Sequence, residues 1–233
     1  MDARAILLDI EGTTTPIAFV YDVLFPYARA HAAAYLRENP DSEAIDLLQQ
    51  EWHSDSKDGA PADLSSYVEW LMDRDRKSPG LKRLQGLVWQ RGYRDGELKG
   101  EVYDDVPPAL EAWRARGIRL AIYSSGSVLA QRLLFSSTRF GDLTRLLSNY
   151  FDTSSGAKTS ADSYRRIAAS LECSPDDTLF VSDSASELDA ARSAGCQVAL
   201  CVRPGNPTAE THEGIRVVHS FEEIASFLQS RRS

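Results

Sequence analysis

The chain has 233 residues, with 26 Lys and Arg against 34 Asp and Glu, a formal charge of −8, and a hydrophobic fraction of 42%. Such a length and composition suit an ordinary globule, either one large α/β domain or a core with a smaller insert, and exclude a disordered or fibrous chain. The acidic balance argues against holding nucleic acid or an anionic membrane by charge, which needs clustered Lys and Arg, so a small ligand is the default partner.

Asp9 and Glu11 arrive before an apolar stretch long enough for a signal peptide could form. No run approaches the roughly 18 apolar residues of a membrane span, so a cytoplasmic location is expected. Residues 5–8 are a short continuous apolar run closed by Asp9, Gly12 and three threonines, the pattern of a buried parallel strand ending in a loop. From 19 to 93 apolar residues recur at helical spacing, as in Leu47, Leu48 and Trp52 or Tyr67, Val68, Leu71 and Met72. This predicts about four helices, the first broken or kinked by Pro26, with a polar loop at 55–63.

Beyond Gly100 strands and helices alternate. Pro107 and Pro108 open a helix that Gly117 ends, and 118–123 reads as a strand. A helix follows from about Ser127 and another over 161–171. Then come a strand at 178–181, a helix over 186–194 ended by Gly195, and strands at 197–202 and 215–218. Ser220 with Glu223 is a capping-box signature for a final helix, and the tail 231–233 is expected to fray. Alternation of this kind implies an α/β fold with a doubly wound parallel sheet. The expected organisation is a core made of 1–15 and 100–233, interrupted after its first strand by a helical cap, 16–99.

In such sheets ligands bind beyond the carboxyl ends of the strands. Four polar segments fall there: Asp9 to Thr14, Ser124 to Ser127, Lys158, and Ser182 with Asp183. Each alone is an ordinary cap, turn or solvated charge; their convergence on one sheet edge is what points to chemistry. Together they supply the parts of phosphoryl transfer. Asp9 can attack phosphorus as a carboxylate nucleophile, and Glu11, two residues on, can protonate the leaving oxygen and later deprotonate water. Ser124, Ser125 and Gly126 at a helix N-terminus can hold phosphate oxygens, and Lys158 adds positive charge. Carboxylates beside a phosphate would repel it without a cation. Asp9, Asp183 and an oxygen of Glu11 form a hard oxygen site suited to magnesium.

The motifs DIEGTT, YSSGS, GAKTSADSY and FVSDSASELD, in that order, resemble those of the haloacid dehalogenase superfamily. Glu11 departs from the usual second Asp. DIEGTTTPI, GELKGEVYDDVPPALEAW, IYSSGSVLAQRLLF, FGDLTRLLSNYFDT and RPGNPT resemble the bifunctional enolase-phosphatases of methionine salvage, the acireductone synthases, and the likeness covers nearly the whole chain. The resemblance implies a magnesium-dependent conversion of 2,3-diketo-5-methylthiopentyl 1-phosphate to the acireductone, by enolisation and then dephosphorylation. It further implies a monomer, a substrate grip by Ser124, Ser125 and Lys158, and magnesium at Asp9, Glu11 and Asp183. Ser184 stands where many relatives carry an apolar residue or second acid, which points to Glu187 as the supporting carboxylate.

The enolisation base stays open among Glu11, Glu97, Lys99 and Glu101, and the cap is expected to close over the methylthio tail. Two other readings remain at this point: a phosphatase of the same superfamily without enolisation, and a catalytically silent phosphate-binding module, against which Asp9 argues. The four tryptophans read as packing, the four scattered histidines as non-catalytic, and Cys173, Cys196 and Cys201 as buried apolar thiols rather than disulfide or zinc ligands. RPGNPT at 203–208 reads first as a turn, placed where it could face the site.

Overall fold

The computed structural model describes residues 3–55, 59–206 and 214–228. Pro207 and Thr208, His212, part of the expected polar loop at 55–63 and the tail 231–233 lie outside the described residues. Six strands, β1 (Ala5–Leu8), β2 (Arg119–Tyr123), β3 (Asn149–Phe151), β4 (Thr178–Ser182), β5 (Gln197–Cys201) and β6 (Arg216–Val218), form one sheet in the order β3-β2-β1-β4-β5-β6. Every pairing is parallel. The helices, in chain order, are α1 (Phe25–Glu38), α2 (Glu43–Asp55), α3 (Leu64–Asp73), α4 (Pro79–Arg94), α5 (Val106–Ala115), α6 (Val128–Ser136), α7 (Ala161–Ser170), α8 (Ala185–Ser193) and α9 (Phe221–Phe227). Two compact units result, one of Met1–Phe19 with Lys99–Ser233 and one of Val20–Leu98.

In the first unit both faces of the sheet are buried, which is why its central strands are continuously apolar rather than alternating. Ala5 and Leu7 join Ala121, Tyr123, Phe180, Val198 and Leu200 in a cluster closed by Tyr164 and Ile167 of α7 and Leu188 and Ala191 of α8. Strand side chains alternate, so Ile6, Leu8, Leu120 and Ile122, all fully buried, point to the opposite face. α5 packs against β2 and α9, with the Trp113 and Phe221 rings 5.4 Å apart.

Caps set the helix ends. Ser127 accepts the Ala130 N–H at 3.2 Å to start α6, and Gly117, at φ +76°, takes up the left-handed conformation just past α5. Ser220 accepts from the Glu223 N–H at 3.4 Å while the Glu223 carboxylate accepts from the His219 N–H at 3.2 Å, a reciprocal cap displaced by one residue from the usual box.

The second unit buries Ala32 and Leu36, Ile45 and Leu48, Val68 and Leu71, and Leu81, Leu84 and Val88 against one another, the three-and-four spacing of facing helix stripes. Trp52 and Trp70 pack at the margin of this cluster, and Trp89 donates to the Leu24 carbonyl at 2.8 Å.

The first helical run changes character next to Pro26: residues 17–18 and the π-helical Phe19–Leu24 lead into α1, whose regular α-helix starts at Phe25 with Pro26 in its first turn. One strand, β3, was not foreseen, because three residues carry no periodicity, and one expectation needs correction. Cys173 is only half-buried, whereas Cys196 and Cys201 are buried, with burial pushing their thiols up to about 11 and about 12 respectively.

Candidate active site at the carboxyl edge of the sheet

Leu8 is level with Ile122 of β2 and with Val181 of β4. Asp9, Ser124 and the Ser182–Asp183 pair therefore leave the sheet at one edge, where parallel strands present their carboxyl ends. The loop after β1 is a tight one. The Ile10 carbonyl accepts the N–H groups of Thr13, Thr14 and Thr15 at 3.2, 3.0 and 2.9 Å, and Thr14 Oγ1 donates to the Asp9 carbonyl at 3.0 Å. Gly12 sits at φ +69°, and a Cβ there would meet Asp183 Oδ2 at 2.1 Å. Only glycine lets the loop take this conformation and come so close to the second carboxylate.

Asp9 is 3% exposed and fully engaged. Its Oδ1 accepts from Lys158 Nζ at 2.7 Å and from the Ile10 N–H at 2.8 Å, and its Oδ2 accepts from Ser182 Oγ at 2.8 Å. Lys158 also reaches Glu187 Oε2 at 2.7 Å, its ammonium lies 5.9 Å from the Tyr123 ring centroid, and its carbonyl accepts from the Tyr164 hydroxyl at 2.7 Å. Burial works against the ammonium, but Asp9 and Glu187 outweigh it and hold the group above its ordinary range, so Lys158 stays cationic. Glu187 was expected as the carboxylate supporting the metal; its contacts are Lys158 and Ser182, the latter at 3.1 Å. Ser184 stands at the N-cap position of α8 without a side-chain capping hydrogen bond, and its N–H is accepted by Ser182 Oγ at 3.1 Å.

Ser124 is buried, accepts from the Gly126 N–H at 3.1 Å and turns its hydroxyl to Glu11 Oε2 at 3.5 Å. Ser125 is exposed in the same loop, ahead of the N-terminus of α6. The expected residues therefore share one edge, with Asp9, Lys158 and Ser182 in direct contact and Ser125 at the rim. Of the other candidates for a base, Glu97 accepts from the Tyr27 hydroxyl at 2.6 Å, and Lys99 and Glu101 are exposed.

Negative charge dominates the site. Burial and the neighbouring Asp9 push the Asp183 carboxyl up to about 7, and the same two causes raise Glu11 and Glu187. Among the described residues no three His, Cys, Asp or Glu side chains gather into a ready metal cage. The donors present are oxygens, from Asp9, Asp183 and the loop main chain. That set fits a hard divalent cation that takes one or two carboxylates and keeps its waters.

A pH dependence follows. Acids whose folded-state pKa is raised contribute stability that is complete below the ordinary carboxylate range and is lost as pH rises through the raised value, near 7 for Asp183. The cation-free protein is therefore expected to melt higher at about pH 6 than at about pH 8, and a bound divalent cation to raise its Tm more at the higher pH. A cation-free Tm that falls on acidification over that interval contradicts this charge balance.

The haloacid dehalogenase-like hydrolase family matches residues 3–195. Enolase-phosphatase E1 of Synechococcus elongatus is 49% identical over 230 residues, covering 94% of this chain and 96% of that protein. Enolase-phosphatase E1 of Drosophila melanogaster is 46% identical over 237 residues, covering 95% and 93%. The crystal structure of the UTR4 protein of Saccharomyces cerevisiae superposes with a TM-score of 0.79 at 37% identity, covering 95% of this chain and 99% of that one.

Proposed function

Since the chain belongs to the haloacid dehalogenase-like hydrolases and, within them, to the enolase-phosphatases, we propose that Asp9 is the nucleophile and Glu11 the acid and base of its phosphoryl transfer. The protein is an enolase-phosphatase of methionine salvage. It acts on a small phosphorylated substrate, 2,3-diketo-5-methylthiopentyl 1-phosphate, and releases acireductone and phosphate. The observation that carries the residue assignment is the contact set of Asp9: a buried strand-terminal carboxylate held by Lys158 on one oxygen and Ser182 on the other.

An oxygen of Asp9 attacks phosphorus, the bond from phosphorus to the substrate oxygen breaks, and Glu11 gives that oxygen its proton. Glu11 is suited to this because burial and Asp9 raise its pKa, so a proton it has taken up is held more firmly than on an ordinary glutamate until it is passed on. Deprotonated, it then takes a proton from the water that attacks the aspartyl phosphate and frees Asp9. Ser124 and Ser125, with the main-chain N–H groups ahead of α6, hold the phosphate oxygens, and Lys158 offsets the charge that moves onto Asp9 and phosphate. The preceding enolisation starts from the Glu11 carboxylate, the candidate base beside Asp9 and Ser124: it takes the proton from the phosphate-bearing carbon, the enolate oxygen takes one from water, and the proton held by Glu11 is the one it then gives to the leaving oxygen.

Asp9, Asp183 and the main-chain oxygen of Glu11 would hold the cation, which we assign as magnesium on the all-oxygen donor set. When bound it neutralises phosphate charge and polarises the substrate carbonyl. The protein is taken as a cytoplasmic monomer. No helix among the described residues is long and apolar enough to cross a membrane.

The test follows enol absorbance and phosphate together on the diketone phosphate with magnesium. The enol signal is expected to rise before phosphate. Phosphate release with no preceding enol would reduce the protein to a simple phosphatase.

A further inference from the structure

We propose that Asn206 is a positioning residue for the cation edge of this site, tying the loop after β1 to Asp183 from a turn that Arg203 anchors. The inference rests on the cation assignment above and extends it to residues outside the Asp9, Lys158 and Asp183 segments.

Arg203, Pro204, Gly205 and Asn206 form a β-turn after β5, closed by the Asn206 N–H on the Arg203 carbonyl at 3.1 Å, with Gly205 at φ +86° as the third position of such a turn requires. The first and fourth residues of the turn both reach the loop after β1, on successive carbonyls. Arg203 Nε donates to the Thr13 carbonyl at 3.1 Å, and Asn206 Nδ2 donates to the Gly12 carbonyl at 2.8 Å.

Arg203 is immobilised. It is 5% exposed, donates from Nη1 to Asp105 Oδ2 at 2.7 Å and to the His219 carbonyl at 3.3 Å, and its guanidinium lies 4.4 Å from the Tyr103 ring centroid and 4.8 Å from that of Phe221. Asp105 is itself fixed by accepting the Phe221 N–H at 2.6 Å. A planar guanidinium with this many partners holds one orientation, so the turn it begins is a rigid arm.

At the far end of that arm the Asn206 amide spans two acceptors, Gly12 O and, at 3.4 Å, Asp183 Oδ2. An amide NH2 has two donor hydrogens, one for each. The Gly12 backbone and the Asp183 carboxylate come close together, as the room for a glycine alone records, and a shared donor between their oxygens holds the carboxylate in place beside the loop. Asn206 thereby sets the separation of the two segments that supply the cation's oxygens, and does so without touching the reacting phosphate. Partners that orient a ligating group in this way typically account for about 10–100-fold in metal affinity or activity.

The experiment titrates magnesium calorimetrically into the cation-free full-length chain, for wild type, Asn206→Ala and the near-isosteric Asn206→Leu. It also measures kcat and KM on an aryl phosphate and Tm without cation. Expected for both variants are a magnesium Kd raised about tenfold or more, a kcat reduced on the same order, and a KM and cation-free Tm close to wild type. A magnesium affinity and kcat within about twofold of wild type in both variants overturns the proposal, as does a loss that tracks a fall in Tm, since that is a turn holding the fold rather than the site. Failure of the cation assignment itself has a separate signature: a wild-type chain that takes up no magnesium.

Discussion

Asp9→Asn is expected to abolish phosphate release, by about 10⁴-fold or more, the scale on which loss of a nucleophile acts. Asparagine keeps the volume of the side chain and one oxygen able to accept from Ser182 Oγ, now 2.8 Å from Oδ2. What it loses is the charged oxygen proposed to attack phosphorus. Lys158 retains Glu187, 2.7 Å away, so the ammonium is not left alone in a buried place. The variant should therefore fold, as far-UV circular dichroism can verify, and fail only in chemistry. Residual phosphate release within about a hundredfold of wild type would place the nucleophile elsewhere.

Lys158→Met should be the second large effect, and it separates two roles of one charge. Removing a preorganised cation from the phosphoryl site is expected to lower kcat by about 10²–10³-fold. It also removes the cation bonded to both Asp9 and Glu187, whose side chains are 4% and 16% exposed. Breaking a buried ion pair by deleting one partner costs about 3–5 kcal/mol where the remaining carboxylates are charged. In the cation-free protein that cost should be largest near pH 8. It should shrink near pH 6, where Asp183, pushed up to about 7, and the likewise raised Glu11 and Glu187 take up protons and need less compensation. Denaturant unfolding at the two pH values checks this. An equal loss at both would mean that Lys158 contributes packing by its stem rather than charge.

Much of the frame was legible before the structure because the central strands announce themselves. β1, β2, β4 and β5 are continuous apolar runs closed by polar residues, as strands buried on both faces must be. Gly117 and Gly195 mark helix ends through their positive φ, a backbone requirement visible in one letter of sequence. β3 escaped because Asn149, Tyr150 and Phe151 form an edge strand, half-exposed over two of its three residues, with no run long enough to show a period.

The site was legible as a set of segments but not as a set of contacts. That Asp9, Ser124, Lys158 and Asp183 share one edge follows from the topology of parallel sheets. Which carboxylate Lys158 would pair with does not follow, and Glu187 joined Lys158 and Ser182 because α8 begins directly over the end of β4. Ser182, read only with Asp183 as a polar segment, places its one hydroxyl within hydrogen-bond distance of both Asp9 and Glu187, a position that only the register of β1 with β4 reveals. The RPGN turn was visible as a turn from Pro204 and Gly205. Its reach to the Gly12 and Thr13 carbonyls joins segments 190 or more positions apart, beyond what local pattern carries.

The most direct test of the account is a rapid-quench experiment on the wild-type protein with magnesium and the diketone phosphate, followed by mass analysis of the acid-stopped chain. The enol should form first, and a single phosphoryl group should then appear on the peptide bearing Asp9 before free phosphate accumulates. Turnover to free phosphate with no phosphoryl group on that peptide at any time would contradict the central claim that this phosphatase works through Asp9.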